Sequence, residues 1–386
     1  MASLVEVKEK TLIRSEGRAL VTCPCSPLTA YWTPPPTWPR RVLCENKHVA
    51  FSLTRGCWVL ISAIFLTYFL VMDVFLFARF RFTSLVLDSR PGAPGEIYSP
   101  FTHLSVKAVL SDHVRHYFMT PVAEYLNVLT GFSSLFPFIT PNLLSVTHLL
   151  CAFIAGKFIS SEHLQDRQIG VLIFFFRTWL DSFDGTVFRA QSGVHLQYNS
   201  VYSSSGYFID GFFDTLGGFF LSFGVFFYLL KRYGPRSSSA MMPTWTKDPE
   251  SCTEELQPIG GQPTAVYSCR VLFCKVLSYG VCLAVAGVCW DRTVKEFTEV
   301  FQTELTDPSL SALQFKLSHN MATMVIFCFW RFISGQTVQT YMQIALYMDK
   351  VMDFLRYSQW ILLALTLPLY VITVLYISHI RVQLHL

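Results

Sequence analysis

Trp179-Leu180-Asp181-Ser182-Phe183-Asp184-Gly185-Thr186-Val187-Phe188-Arg189 closes one apolar stretch of this chain, and Gly206-Tyr207-Phe208-Ile209-Asp210-Gly211-Phe212-Phe213-Asp214 opens the next. Both stretches are long enough to cross a bilayer, so the pair predicts two membrane helices with acids at their adjoining ends. A carboxylate at bilayer depth costs about 2.5–3.5 kcal/mol on insertion scales. Four of them also repel one another. Such a cluster needs a cationic partner, and hard divalent ions suit an all-oxygen site.

The spacing supports a shared site. Asp181 and Asp184 are three apart and Asp210 and Asp214 four apart, so each pair lies on one helical face. Two antiparallel helices would aim all four carboxylates at one volume. Gly185 costs roughly 0.5–1 kcal/mol of helix stability and in return lets a bulky ligand approach. Arg189, one turn further, is a fork-shaped donor suited to phosphate. Metal-binding acids, a glycine gap and an arginine are the parts needed to hold a diphosphate.

Working outward, 52% of the 386 residues are hydrophobic and 15% are charged, which predicts a polytopic helical membrane protein. A net charge of +4 is too small and scattered to support nucleic-acid binding. Spans are expected at about 58–78, 143–160, 168–188, 206–230, 268–290, 318–342 and 357–378. Residues 1–57 read as a basic, proline-rich, irregular cytosolic tail, and 58–78 as an N-terminal transmembrane anchor. Residues 79–140 read as a lumenal or interfacial segment, with an amphipathic helix near Leu110 to Leu129. A core over 141–380 follows, interrupted by a flexible cytosolic loop at 231–267. No strand pattern is sustained. Buried thiols are the ordinary reading for the cysteines in apolar stretches, and Cys23-Pro24-Cys25 is too short for a metal motif.

The two acidic stretches resemble the signature of the CDP-alcohol phosphotransferase family, D-x2-D-G-x2-A-R-x8-G-x3-D-x3-D. Asp181, Asp184, Gly185, Arg189, Gly206, Asp210 and Asp214 fall on matching positions. Phe188 stands where the family has alanine, and sixteen residues separate Arg189 from Gly206 in place of eight. Thr140-Pro141-Asn142-Leu143-Leu144-Ser145 is similar to the start of the family's first core helix. The long spacer and the extra N-terminal span look most like the family's invertebrate sphingolipid branch, the ceramide phosphoethanolamine synthases. The resemblance implies an all-α fold, with a six-helix core preceded here by one extra transmembrane helix. It also implies transfer of phosphoethanolamine from CDP-ethanolamine to ceramide, releasing CMP.

Further implications of the resemblance concern the site. Asp181, Asp184, Asp210 and Asp214 hold metal, Mn²⁺ or alternatively Mg²⁺, as one ion or two. Asp214 is the general base, and Gly185, Arg189 and Gly206 form the CDP-binding surface. Membrane lipids surround the protein, and a homodimer is possible by the same likeness. Positive charge before the first span places the N-terminus in the cytosol. Counting spans puts the acids on the lumenal side, and the resemblance implies the Golgi membrane. Two rivals stand beside this reading: a diacylglycerol-using ethanolamine or choline phosphotransferase, and a divalent-cation transporter in which Gly185 and Arg189 have no evident task.

Other polar residues in apolar stretches read as follows. Asp73 marks an interfacial or bundle-facing position. Arg177 either binds phosphate or snorkels to headgroups, and snorkelling is the simpler reading. Arg331 is a buried ion-pair member, a substrate contact or a helix-end residue, with His319 and Asn320 at the start of its span. His195 is solvated. Phe212, Phe213, Phe219, Phe220, Phe226 and Phe227 form a lipid-facing or packing surface.

Overall fold

The computed structural model describes residues 40–85, 98–193, 205–235 and 266–386, with side chains from Leu60 onward except Ser205. Every regular element among them is helical. Helix α1 covers Arg40–Phe80. After α2 (Val106–Leu110), a π-helical turn (Arg115–Met119) leads into α3 (Thr120–Thr130) and α4 (Phe132–Leu135). Three long helices follow: α5 (Pro141–Ile159), α6 (Leu164–Gln191) and α7 (Ser205–Tyr233). The chain ends with α8 (Cys269–Phe301), α9 (Pro308–Ser318), α10 (Met321–Ile333), α11 (Gly335–Tyr347) and α12 (Val351–Leu384). The tail before residue 40, His195 and most of the 189–205 and 231–267 loops lie outside the described residues.

Contact clustering separates Met1–Ser62 from Ala63–Leu386. In the first unit the described backbone is helical from Arg40, where an irregular tail was expected through residue 57. The reason is compositional. The prolines of the tail end at Pro39, and the next one is Pro91, so nothing between them breaks the hydrogen-bond ladder.

Among the described residues, five helices are long and apolar enough to cross a membrane: Leu60–Phe80, α5, Gly206–Tyr233, α8 and α12. The pair α10 and α11, bent by 40°, makes a sixth if taken as one span. Helix α6 is 28 residues long but is not among them. It carries Asp166, Arg167, Arg177, Asp181, Asp184 and Arg189, and those charges set it apart from the other spans expected from the sequence. The Leu60–Phe80 span buries only 11% of its apolar window, so most of its side chains face lipid.

Helix starts follow local chemistry. Thr140 caps α5, its hydroxyl accepting from the Leu143 amide, and Pro141 occupies the first turn where no amide donor is needed. Ser268, Asn320 and Ser334 cap α8, α10 and α11 in the same way.

The helices that carry the site are held close by missing side chains. A Cβ on Gly224 would stand 2.6 Å from the Gly156 carbonyl oxygen, and one on Gly156 would stand 2.8 Å from that of Phe220. Small residues at a crossing let two backbones touch inside a membrane, where packing replaces the hydrophobic drive. Helix α5 therefore lies against α7, and α6 packs on α5 as well. At the far end of α6, Arg167 Nη2 meets Asp349 Oδ1 at 2.6 Å. Tyr228 donates to the same oxygen at 2.7 Å, and Arg232 lies 3.2 Å from Asp349 Oδ2. This network ties α6 and α7 to the α11–α12 turn, about 21 Å along α6 from Asp181.

Asp73 of α1 faces the bundle. Its Oδ2 lies 2.8 Å from His113 Nε2, and its Oδ1 accepts from the Tyr117 hydroxyl at 2.7 Å and sits 3.1 Å from Arg331 Nη2. Arg331 is fully buried and donates to the Val109 carbonyl at 2.9 Å. Of the readings open for Arg331, the structure selects the buried ion pair. Of the phenylalanines on α7, Phe212 and Phe219 are exposed, while Phe220 and Phe226 pack on the core.

Candidate active site

The acid-bearing helix α6 packs on α5, which also packs on α7. His148 from α5, Asp181 from α6 and Asp210 and Asp214 from α7 each present one ligand atom, and these four atoms lie within 4.8 Å of one another. His148 is 0% exposed and Asp181 2%. Both nitrogens of His148, both carboxylate oxygens of Asp181 and Oδ1 of Asp210 are buried without a hydrogen-bond partner. The arrangement fits a divalent cation. Oxygens trans to each other on an octahedral ion, at bonds of about 2.1 Å, are about 4.2 Å apart, so a small contraction brings these atoms into one coordination shell.

Asp184 stands slightly apart from that group. It is buried, and its Oδ2 accepts from the Ser145 hydroxyl at 2.8 Å. Ser145 belongs to the Thr140–Ser145 start of α5. Of the four predicted metal ligands, three converge directly and the fourth is held one hydrogen bond away from α5.

Basic side chains surround the acids. Arg177, expected to snorkel, is instead 1% exposed and pairs with Asp214. It turns inward because α7 leaves room: a Cβ on Gly217 would stand 2.9 Å from Arg177 Nη2. In a low-dielectric interior the paired carboxylate outweighs the distant headgroups. Arg115, from the π-helical turn, places Nη1 3.2 Å from Asp181 Oδ2. That turn starts where Asp112 accepts from the Arg115 amide at 3.0 Å. Burial works against the Arg115 charge, but the carboxylates of Asp181, Asp214, Asp112 and Asp210 outweigh it and hold its pKa above the ordinary arginine range.

Arg189 is anchored by Glu124 of α3, whose Oε1 accepts from Arg189 Nη2 at 2.8 Å and from the Thr186 hydroxyl at 2.9 Å. Glu124 is 2% exposed. Arg189 leans back over Gly185, since a Cβ there would meet only Arg189 Nη1, at 3.3 Å. Among the described residues, nothing lies within 4 Å of a Cβ on Gly206. Among those residues, no other helix crowds either motif glycine. Tyr207, next to Gly206, donates to Asp291 of α8 at 2.6 Å and fixes the start of α7.

His148, Arg115 and Glu124 were not singled out from the sequence. A signal existed for His148, because an ionisable residue inside an apolar span is a functional candidate by default. For Arg115 and Glu124 there was none, since both lie in a mixed-composition segment without spacing that links them to α6.

Comparison with known proteins bears on the whole assembly. The family model described as ceramide phosphoethanolamine synthase matches residues 96–384, a range that includes the segment carrying Arg115 and Glu124. The chain is 31% identical over 274 residues to a curated Drosophila melanogaster protein named ceramide phosphoethanolamine synthase, covering 70% of this chain and 68% of that one. No solved structure matches the chain significantly.

Proposed function

Because the chain belongs to the ceramide phosphoethanolamine synthase family, and is therefore a multi-pass membrane transferase of lipid biosynthesis of the CDP-alcohol phosphotransferase type, we propose that it transfers phosphoethanolamine from CDP-ethanolamine to the hydroxyl of ceramide, with CMP as the leaving group. The observation that carries this reading is the convergence of His148, Asp181, Asp210 and Asp214, whose ligand atoms lie within 4.8 Å of one another.

In this reading Asp181, Asp184, Asp210 and Asp214 hold divalent metal, Mn²⁺ by family likeness. The bound metal supplies electrostatic stabilisation of charge on the diphosphate as the bridging oxygen leaves. Asp184 joins the set by leaving Ser145. Arg189, pre-oriented by Glu124, binds a phosphate oxygen across the space left by Gly185. Arg115 faces the same volume from the opposite element and offers a second guanidinium.

Asp214 takes the proton of the lipid hydroxyl. Its side chain is 40% exposed, so a substrate hydroxyl can reach it, and Arg177 fixes its orientation. In the same reading the site faces the lumen of the Golgi: the basic residues ahead of the first span and in the 231–267 loop support the lumenal side, and family likeness suggests the organelle.

Purified enzyme in nanodiscs, given labelled CDP-ethanolamine with ceramide or with diacylglycerol, tests the assignment. Labelled product and CMP are expected with ceramide, and Asp214→Asn is expected to lower turnover by about 10²–10⁴-fold. Product from diacylglycerol alone would reassign the acceptor. Full turnover by Asp214→Asn would remove that residue from the base role.

A further inference from the structure

We propose that His148 is itself a metal ligand, so that the site is a mixed nitrogen and oxygen centre selecting transition-metal dications over Mg²⁺. This inference rests on the metal-assisted reading above and adds to it a ligand outside the aspartate motif.

Two other buried histidines of this protein make polar contacts. His113 places Nε2 2.8 Å from Asp73, and His116 places Nε2 2.9 Å from the Pro100 carbonyl. Each of those imidazoles has a hydrogen-bond partner. His148 is the most deeply buried of the three, at 0% exposure, and neither of its nitrogens has one. A polar ring taken wholly out of water is expected to be satisfied. The nearest ring, Phe213, stands edge-on with its centroid 6.3 Å away and offers no acceptor.

Geometry then says what the missing partner is. One nitrogen of His148 belongs to the same four-atom group as oxygens of Asp181, Asp210 and Asp214, all within 4.8 Å. Both oxygens of Asp181 and Oδ1 of Asp210 lack a hydrogen bond as well, Asp181 Oδ2 having only its ion pair with Arg115. A hydrogen-bonding water could satisfy one or two of these atoms, but a dication satisfies acceptors from three helices at once and offsets their mutual repulsion. The helix register fits the role. Ser145, one turn before His148 on α5, already reaches Asp184 at 2.8 Å, so the same face of α5 serves both ends of the site.

The chemistry of the donor set follows. Carboxylates alone suit Mg²⁺, Ca²⁺ and Mn²⁺, whereas an imidazole raises the relative affinity for transition metals. Mg²⁺ demands near-ideal oxygen coordination and gains little from a nitrogen donor.

The experiment loads the full-length protein in detergent with Mn²⁺ and records pulsed electron paramagnetic resonance, in which a directly bound imidazole gives a ¹⁴N coupling. The wild-type protein is expected to show it, and His148→Leu is expected to lose it. Mn²⁺ affinity should fall by at least about tenfold, the lower bound for losing even an indirect partner of a ligand, while Mg²⁺ affinity changes little. Should His148→Leu fail to fold, His148→Gln is read in the same way. His148→Asp, which restores a charged ligand, should regain Mn²⁺ without the nitrogen signal. Bound Mn²⁺ with no ¹⁴N coupling in the wild type, or a coupling that survives in the variants, overturns the proposal and leaves the aspartate site standing. A wild-type protein that binds no Mn²⁺ overturns the metal-assisted reading itself.

Discussion

Replacing Asp73 by asparagine isolates a buried guanidinium. Arg331 is fully buried, and its Nη2 faces Asp73 Oδ1 at 3.1 Å. Asparagine keeps an oxygen that can accept from Tyr117, so the hydrogen-bond loss is partial and the charge dominates. Removing one partner of a buried ion pair costs about 3–5 kcal/mol, because the other charge stays desolvated and uncompensated. At about 2–4 °C per kcal/mol for a chain of several hundred residues, the melting temperature in nanodiscs should fall by roughly 6–20 °C.

Arg331→Gln alone should cost a similar amount, since it leaves the Asp73 carboxylate buried beside His113 and Tyr117. The double variant removes both charges together. It should lie within about 1–2 kcal/mol of wild type, because a buried pair replaced as a unit is often close to neutral. The cycle then yields a coupling of about 4 kcal/mol or more. Thermal melts of the four proteins at one scan rate provide the measurement. Two singles that add in the double, or an Asp73→Asn protein that melts with wild type, would show that this pair does not hold the Leu60–Phe80 span to the bundle.

Three further outcomes follow from the geometry. Glu124→Gln should free Arg189 from its anchor and raise KM for CDP-ethanolamine by about 10-fold, for a charge-assisted bond worth roughly 1.5 kcal/mol; unchanged KM and kcat would detach Glu124 from the site. Gly224→Ala forces α5 and α7 apart, since its Cβ would stand 2.6 Å from a backbone oxygen, and should cost about 1–3 kcal/mol. Gly280→Ala, which meets nothing within 4 Å, should gain about 0.5–1 kcal/mol from helix propensity; equal melts for the two would argue against the close crossing. Burial, then the charge of Arg331, push His116 down to about 3, so the folded chain keeps it neutral while the unfolded chain takes up the proton below about pH 6.5. Its contribution is therefore complete above about pH 6.5 and drains as pH falls toward 3, by up to about 1.4 kcal/mol per pH unit. His116→Gln should flatten that part of the stability profile between pH 6.5 and 4.5, and parallel profiles would assign the slope to other groups.

Helix positions were legible in the sequence because apolar length reports them directly, and the start at Thr140-Pro141 carried its own capping chemistry. The aspartate pairs were legible because spacings of three and four have meaning on a helix. Arg177 was misread because its direction depends on a neighbour's missing side chain. Gly217 on α7 makes the inward path open, and nothing in the local sequence of α6 says so. Glu124 and Arg115 were illegible for a related reason: the segment before α5 contributes to the site through tertiary packing alone. Phe188, where the family has alanine, is 44% exposed, so its bulk is not part of the buried core.

The carboxylates inside this bundle divide by whether donors meet them. Asp349 is met by Arg167, Tyr228 and Arg232, and Asp73 by His113, Tyr117 and Arg331. Such networks hold helices together and have no chemistry left to offer. Among the described residues, every buried carboxylate or imidazole atom without a hydrogen-bond partner belongs to His148, Asp181 or Asp210. Leaving one such group unsatisfied costs about 1–3 kcal/mol, and more where it is charged. Scattered through a structure, costs of that kind would mean poor packing. Gathered on α5, α6 and α7, they are the atoms that the proposed metal site would use. In that reading the α5–α7 glycine crossing and the Asp349 network have a task beyond stability, because they hold these helices in the register that brings those atoms together.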